Sequence, residues 1–250
     1  MTRPRLLLAG VLVLIVAVGG YVAWDQVLSG DSVAPLALPS TSPAPAASDV
    51  PARAASGASA EPSTSADNDI AGTWVVAGDS QAGYRVRERL ASLSAESDAV
   101  GRTSDITGSI TLEQAGGSTA TLTAGTLTVD TTTIASDEDR RDNRLRTEGL
   151  QTDTYPTATF TVTQPVEIPA SAIEGVATDL TLVGDLELHG VTRSVSIPAQ
   201  ARLVDGTIQV AGSITFLLSD FEIVAPNVGG FILSIADEGA LEFAVNFTRP

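Results

Sequence analysis

Beyond Ile70 the chain alternates apolar and polar residues with a period of two, and few folds accommodate that rhythm over so long a stretch. Leu241, Phe243, Val245 and Phe247 interleave with Glu242, Ala244, Asn246 and Thr248. Ile208, Val210, Gly212, Ile214 and Phe216 do the same with Thr207, Gln209, Ala211, Ser213 and Thr215. Ala158, Phe160 and Val162 alternate with threonines, and Leu182, Gly184, Leu186 and Leu188 with Val183, Asp185, Glu187 and His189. Successive side chains of a strand point to opposite faces, so each run reads as a strand with one buried face. Glycine pairs and Asp-Gly steps, such as Gly116-Gly117 and Asp205-Gly206, punctuate the runs as turns. The expected class is all-β and antiparallel, either a sandwich or a barrel.

The apolar parity defines a candidate pocket lining. It consists of Tyr84 and Val86, Phe160 and Val162, Leu182 and Leu186, Ile214 and Phe216, and Phe243 and Val245. Gly184, Gly212 and Ala158 share that parity and argue for room inside the sheet. Alternation alone does not separate a hollow barrel from a filled one. A filled one would serve as an envelope structural or protein-interaction module. Glu88 shares the parity of Tyr84 and Val86, and an inward carboxylate needs a partner such as a nearby arginine.

The residue inventory narrows the chemistry. The chain has no cysteine, no lysine and a single histidine, His189. Thiolate catalysis, Schiff-base chemistry, His pairs and Cys-based metal sites are therefore excluded. No nucleophile elbow accompanies His189, which precedes Gly190 and reads as a turn residue. No cofactor, metal or enzymatic activity is expected. A formal net charge of −16 disfavours nucleic acid as a partner.

Three regions are expected. Residues 1–24 read as a membrane anchor or signal segment: Arg3 and Arg5 precede an uncharged apolar run from Leu6 to Ala23. That run is long for a cleaved signal core and just long enough to span a bilayer. The flanking arginines place the N-terminus in the cytoplasm and everything after it outside. The expected location is thus the cell membrane, single-pass, or secreted if the segment is cleaved near Gly20. Residues 25–69, rich in Ala, Ser and Pro, read as a disordered linker. Residues 70–250 form the β domain.

One segment breaks the alternation. Ser136 to Leu150 opens on a capping-box-like Ser136–Asp139 spacing, with acids first and arginines later. The pattern predicts a helix over 137–147, stitched by Asp137–Arg141 and Asp142–Arg146 pairs, solvated and self-neutralised, with no metal bound by its acids. A second weak helix or irregular excursion is expected around Leu90 to Val100.

Several motifs carry a family resemblance. The segment RRDNRLRTEGLQTDTYPTATF (Arg140 to Phe160) has an Arg-Asp pair, a Leu-Arg step and Tyr-Pro-x-x-x-Phe in order. GDLELHGVTRSVSIP (Gly184 to Pro198), LSDFEI (Leu218 to Ile223) and, more loosely, VGRTSDITGSITL (Val100 to Leu112) complete the set. From about Gly72 to Arg249 the chain resembles the YceI-like family of bacterial lipid-binding proteins. The resemblance implies an extended lipocalin-like antiparallel barrel with a long internal pocket for an isoprenoid, quinone or similar amphiphile. Two positions depart from the family pattern: Glu88 stands where a histidine is frequent, and Glu222 where Asp-Phe-Gly is usual.

Overall fold

The computed structural model of the protein describes residues 33–40, 69–90, 96–114, 118–225 and 232–250. The expected membrane helix and the Gly116-Gly117 turn lie outside the described residues. Among the described residues no helix is long and apolar enough to cross a membrane.

Among the described residues the alternating runs form eleven strands of one antiparallel sheet. They are β1 (Gly72–Val76), β2 (Gln81–Leu90), β3 (Glu96–Thr103), β4 (Ile106–Glu113) and β5 (Ala120–Asp130). Then come β6 (Thr157–Val162), β7 (Val166–Ile168), β8 (Thr178–Leu188), β9 (Val191–Val204), β10 (Thr207–Leu217) and β11 (Ile232–Thr248). The ladder runs β1-β4-β5-β6-β8-β9-β10-β11 and returns to β1, so the sheet closes into an eight-stave barrel. Three staves are broken in two. β1 and β2 lie end to end along β11, β3 and β4 run beside them, and β6 and β7 share β5. Closure removes most of the open edges that would otherwise template aggregation, while β3 keeps one edge paired, among the described residues, only through the isolated Arg102–Ala135 bridge.

Local chemistry sets the two tightest hairpins. Asp205-Gly206 joins β9 to β10 with φ of 50° and 72°, and His189-Gly190 joins β8 to β9 with φ of 53° and 73°. Two consecutive left-handed residues make the hairpin turn whose twist matches the strands. β11 extends over 17 residues, about 55 Å of contour, which makes the barrel elongated.

The helical segment differs from expectation. The helix spans Asp139–Arg144 and is capped by Glu138, whose carboxylate accepts from the Arg140 N–H. A single π turn, Leu145–Gly149, follows it. Ser136 is not the cap. Its N–H and Oγ instead bond the carboxylate of Asp142, which is buried, so the expected Asp142–Arg146 pair does not form. Arg146 donates to Asn143 Oδ1 at 2.9 Å. Around Leu90 to Val100 the chain is strand on both sides, β2 up to Leu90 and β3 from Glu96, with residues 91–95 outside the described set.

The expected linker also differs in part. Val33–Ser40 lies against the barrel, with backbone groups bonded to Arg85, Arg102, Arg202 and Glu242. Its two leucines, Leu36 and Leu38, are half-buried. Residues 41–68 lie outside the described set.

Candidate functional site

The inward parity of the staves converges on one cavity of about 240 Å³. A dry apolar cavity of about 150 Å³ already accommodates a benzene-sized guest. All ten residues singled out by parity stand on its wall: Tyr84 and Val86 from β2, Phe160 and Val162 from β6, Leu182 and Leu186 from β8, Ile214 and Phe216 from β10, and Phe243 and Val245 from β11. The cavity runs through both apolar clusters of the core. One is grouped around Trp74, Leu122 and Phe247, the other around Leu150, Leu188 and Phe221.

The barrel stays hollow because its large rings lie against the wall. Phe243 faces Gly212 across the β10–β11 ladder, and a Cβ on that glycine would stand 2.8 Å from the Phe243 Cζ. Phe216 faces Gly239, where a Cβ would meet the Phe216 ring at 2.9 Å. Tyr84 faces Gly101 in the same way, with a Cβ-to-Cε1 distance of 2.4 Å. Phe160 covers Gly184 diagonally, at 2.7 Å. Each ring occupies the volume its neighbour's missing side chain vacates, a pairing that also compensates the weak strand character of glycine. The expectation that Gly184 and Gly212 face open space is therefore corrected: the room they leave is filled by phenylalanine.

One end of the cavity is bounded by a buried ion pair, although the surface facing the lumen is almost wholly apolar. Arg141 enters the cavity wall from the helix Asp139–Arg144, and its Nη2 donates to Glu88 Oε1 at 2.6 Å. Glu88 is only 2% exposed and the Arg141 side chain 14%. Arg141 also donates to Asp137 Oδ1 at 2.6 Å, as its i,i+4 spacing predicts. Burial works against its charge, but the hydrogen bonds and charges of Glu88 and Asp137 outweigh that and raise its pKa. The reading of this helix as self-paired and solvated fails at Arg141. A usable signal was available, since Arg141 and Leu145 are four residues apart and so share a helix face, and Leu145 also lines the cavity.

Three atoms at this end are buried without a protein partner: Glu88 Oε2, Arg141 Nε and Ser97 Oγ, the last on the residue opposite Glu88 in the β2–β3 ladder. Buried polar groups are nearly always bonded, so this cluster stands out. The Tyr84 phenol lies close enough to feel these charges. Its burial, first of all, pushes its pKa above the ordinary tyrosine range, against the opposing pull of Arg141.

The other departure from the family pattern, Glu222, and the single histidine both lie away from the cavity. Glu222 is exposed and holds a left-handed φ of 55°, the conformation that favours glycine, and it takes no place on the cavity wall. His189 is buried in its turn. Its Nδ1 bonds the Phe221 carbonyl at 3.0 Å and its ring packs edge-on to Tyr155 at 4.5 Å. It does not line the cavity either.

Solved structures share this architecture. A polyisoprenoid-binding domain from Saccharophagus degradans, implicated in plant cell wall breakdown, superposes with a TM-score of 0.54 at 19% identity, covering 71% of this chain and 98% of its own. BcnA of Burkholderia cenocepacia superposes with a TM-score of 0.51 at 16% identity, covering 67% and 95%. At such identities the likeness shows the fold. No curated protein matches the sequence. The sequence model of the YceI-like domain matches residues 75–247, most of the barrel from β1 to β11, and the chain belongs to that family.

Proposed function

We propose that the barrel binds one long-chain amphiphile, its apolar chain in the lumen and its head at the Glu88–Arg141 end. The observation that carries this reading is one almost wholly apolar cavity with the incompletely bonded Glu88–Arg141 pair buried at its wall. Each CH₂ removed from water contributes about 0.8 kcal/mol, so a long chain needs few polar contacts to be held. Glu88 Oε2 accepts and Arg141 Nε donates, which suits a neutral head offering both an N–H or O–H and a carbonyl. An anionic head would set its charge against a buried carboxylate. The family likeness favours a long-chain lipid, a polyisoprenoid, a quinone or a fatty amide, and of these the fatty amide offers both groups. The task is binding for transport, storage or sequestration rather than turnover.

The proposal includes a location. The apolar run Leu6 to Ala23 holds the chain in the cell membrane with the barrel on the extracytoplasmic side. The mass of the mature chain from the membrane fraction checks this, because an N-terminus near Gly20 would make the protein secreted.

Binding is tested by extracting purified protein with organic solvent and analysing the extract by mass spectrometry. A single-chain or polyisoprenoid lipid in stoichiometric amount is expected. Protein that yields no lipid and takes up neither a fatty amide nor a quinone would overturn the reading in favour of a structural module.

A further inference from the structure

The outer wall of the barrel carries a second built site. By register, Arg85 on β2, Arg102 on β3, Arg202 on β9 and Glu242 on β11 fall on the parity opposite to the inward Tyr84, Gly101, Ala201 and Phe243, and two of them, Arg202 and Glu242, also border the cavity. Outward charges on a barrel are ordinarily solvated. Here Arg202 is 6% exposed and Glu242 3%, and the outward-facing Val100 and Ala211 are buried with them. The segment Val33–Ser40 crosses these staves.

The contacts read the backbone of that segment. Arg85 Nη2 donates to the Val33 carbonyl at 2.6 Å, Arg102 Nη2 donates to the Ala34 carbonyl, and Arg202 Nη2 donates to the Pro39 carbonyl at 2.6 Å. In the other direction the Leu36 N–H donates to Glu242 Oε2 at 3.3 Å. The cradle is itself braced. Arg102 bonds Glu242 Oε1 at 2.9 Å, Arg85 bonds Asp98 at 3.1 Å, and Arg202 Nε bonds Gln209 at 2.8 Å. No side-chain atom of these residues is among the buried unpartnered ones, in contrast to the cluster inside the lumen.

The segment suits such a site. Pro35 and Pro39 carry no N–H and hold a fixed φ, so little entropy is lost on docking. Leu36 and Leu38 are the last leucines before the strand region, and no isoleucine or aromatic follows until Ile70. The part that docks thus brings two leucines to bury.

We propose that this outer face is a peptide-docking site whose resident occupant is the chain's own Val33–Ser40, recognised through its backbone by three arginines and one glutamate. An intramolecular occupant acts at an effective concentration on the order of millimolar, enough to keep a modest set of contacts closed. Where Leu6 to Ala23 is the membrane anchor, as proposed above, docking leaves nine residues (24–32) between anchor and barrel instead of 46 (24–69). Nine residues reach at most about 30 Å, so the barrel is held near the bilayer and presents one orientation to it.

Amide hydrogen exchange on the full chain tests the site. The Leu36 amide is expected to exchange at least about tenfold slower than a free peptide, as one hydrogen bond of ordinary worth requires. Arg102→Ala with Arg202→Ala should release that protection while the strand amides keep theirs. Leu36→Pro, which removes the N–H without touching the barrel, should loosen its neighbours Ala37 and Leu38. Free-peptide exchange at Leu36 in the unaltered protein overturns the proposal. Protection that fades over a roughly hundredfold dilution would assign the occupant to a second copy and overturn the resident reading. A cleaved anchor leaves the exchange result untouched and removes only the tether consequence.

Discussion

Arg141 and Glu88 meet 2.6 Å apart inside a cavity whose remaining wall is almost entirely hydrocarbon. The two residues are 53 positions apart, one on a helix and one on a strand, and each is the charge that makes the other tolerable there. The pair is buried at the wall of an apolar lumen.

Breaking the pair from one side should be costly. Arg141→Met is expected to destabilise the barrel by about 3–5 kcal/mol, because the Glu88 carboxylate stays buried without its counter-charge, and Glu88→Leu should cost less, because Arg141 keeps Asp137. The double variant Glu88→Leu with Arg141→Met should recover most of that loss. Denaturant melts of the three variants measure it. Lipid uptake by the double variant should persist for hydrocarbon chains and weaken for those with an amide head.

Gly212 should tolerate no side chain. A Cβ there would meet Phe243 Cζ at 2.8 Å and the Pro198 carbonyl oxygen at 2.9 Å. Gly212→Ala is expected to cost about 1–3 kcal/mol, and Gly212→Leu more, whether or not a lipid is bound. Thermal melts decide it, and an unchanged melting temperature would contradict the seating of Phe243 on this glycine.

Alkaline pH should act through Tyr84. Its folded pKa is raised, chiefly by burial. The unfolded chain therefore releases this proton at lower pH than the native one, and stability falls as pH rises past the ordinary tyrosine value of about 10. The stabilisation is fully present below that value. In a phenolate absorbance titration one of the three tyrosines should titrate only as the barrel unfolds, and Tyr84→Phe should remove that late phase.

Glu222→Gly should stabilise. Glu222 holds φ of 55°, and its side chain is exposed. Relieving a left-handed non-glycine residue is worth roughly 1 kcal/mol, partly offset by the freedom glycine has in the unfolded chain. A higher denaturant midpoint with unchanged lipid binding is the expected result.

Much of the barrel was legible in local chemistry. Side chains alternate across a strand whatever the strand pairs with, so period two was enough to put Phe160, Leu186, Phe216 and Phe243 on one face. Asp205-Gly206 and His189-Gly190 announced their turns because few other residues adopt left-handed angles in succession. These are properties of neighbours in the chain, and the amino-acid sequence by itself determined them. The tertiary structure decided what depends on residues far apart. Whether an inward glycine means open space depends on which ring sits opposite, and register put Phe243 over Gly212. Whether Arg141 is solvated depends on what its helix lies against, and barrel closure brought Glu88 to it. Whether Val33–Ser40 is a free linker depends on an outer face assembled from β2, β3, β9 and β11, whose arginines are scattered from position 85 to 202. Alternation specifies a face, but pairing across the sheet specifies what that face meets.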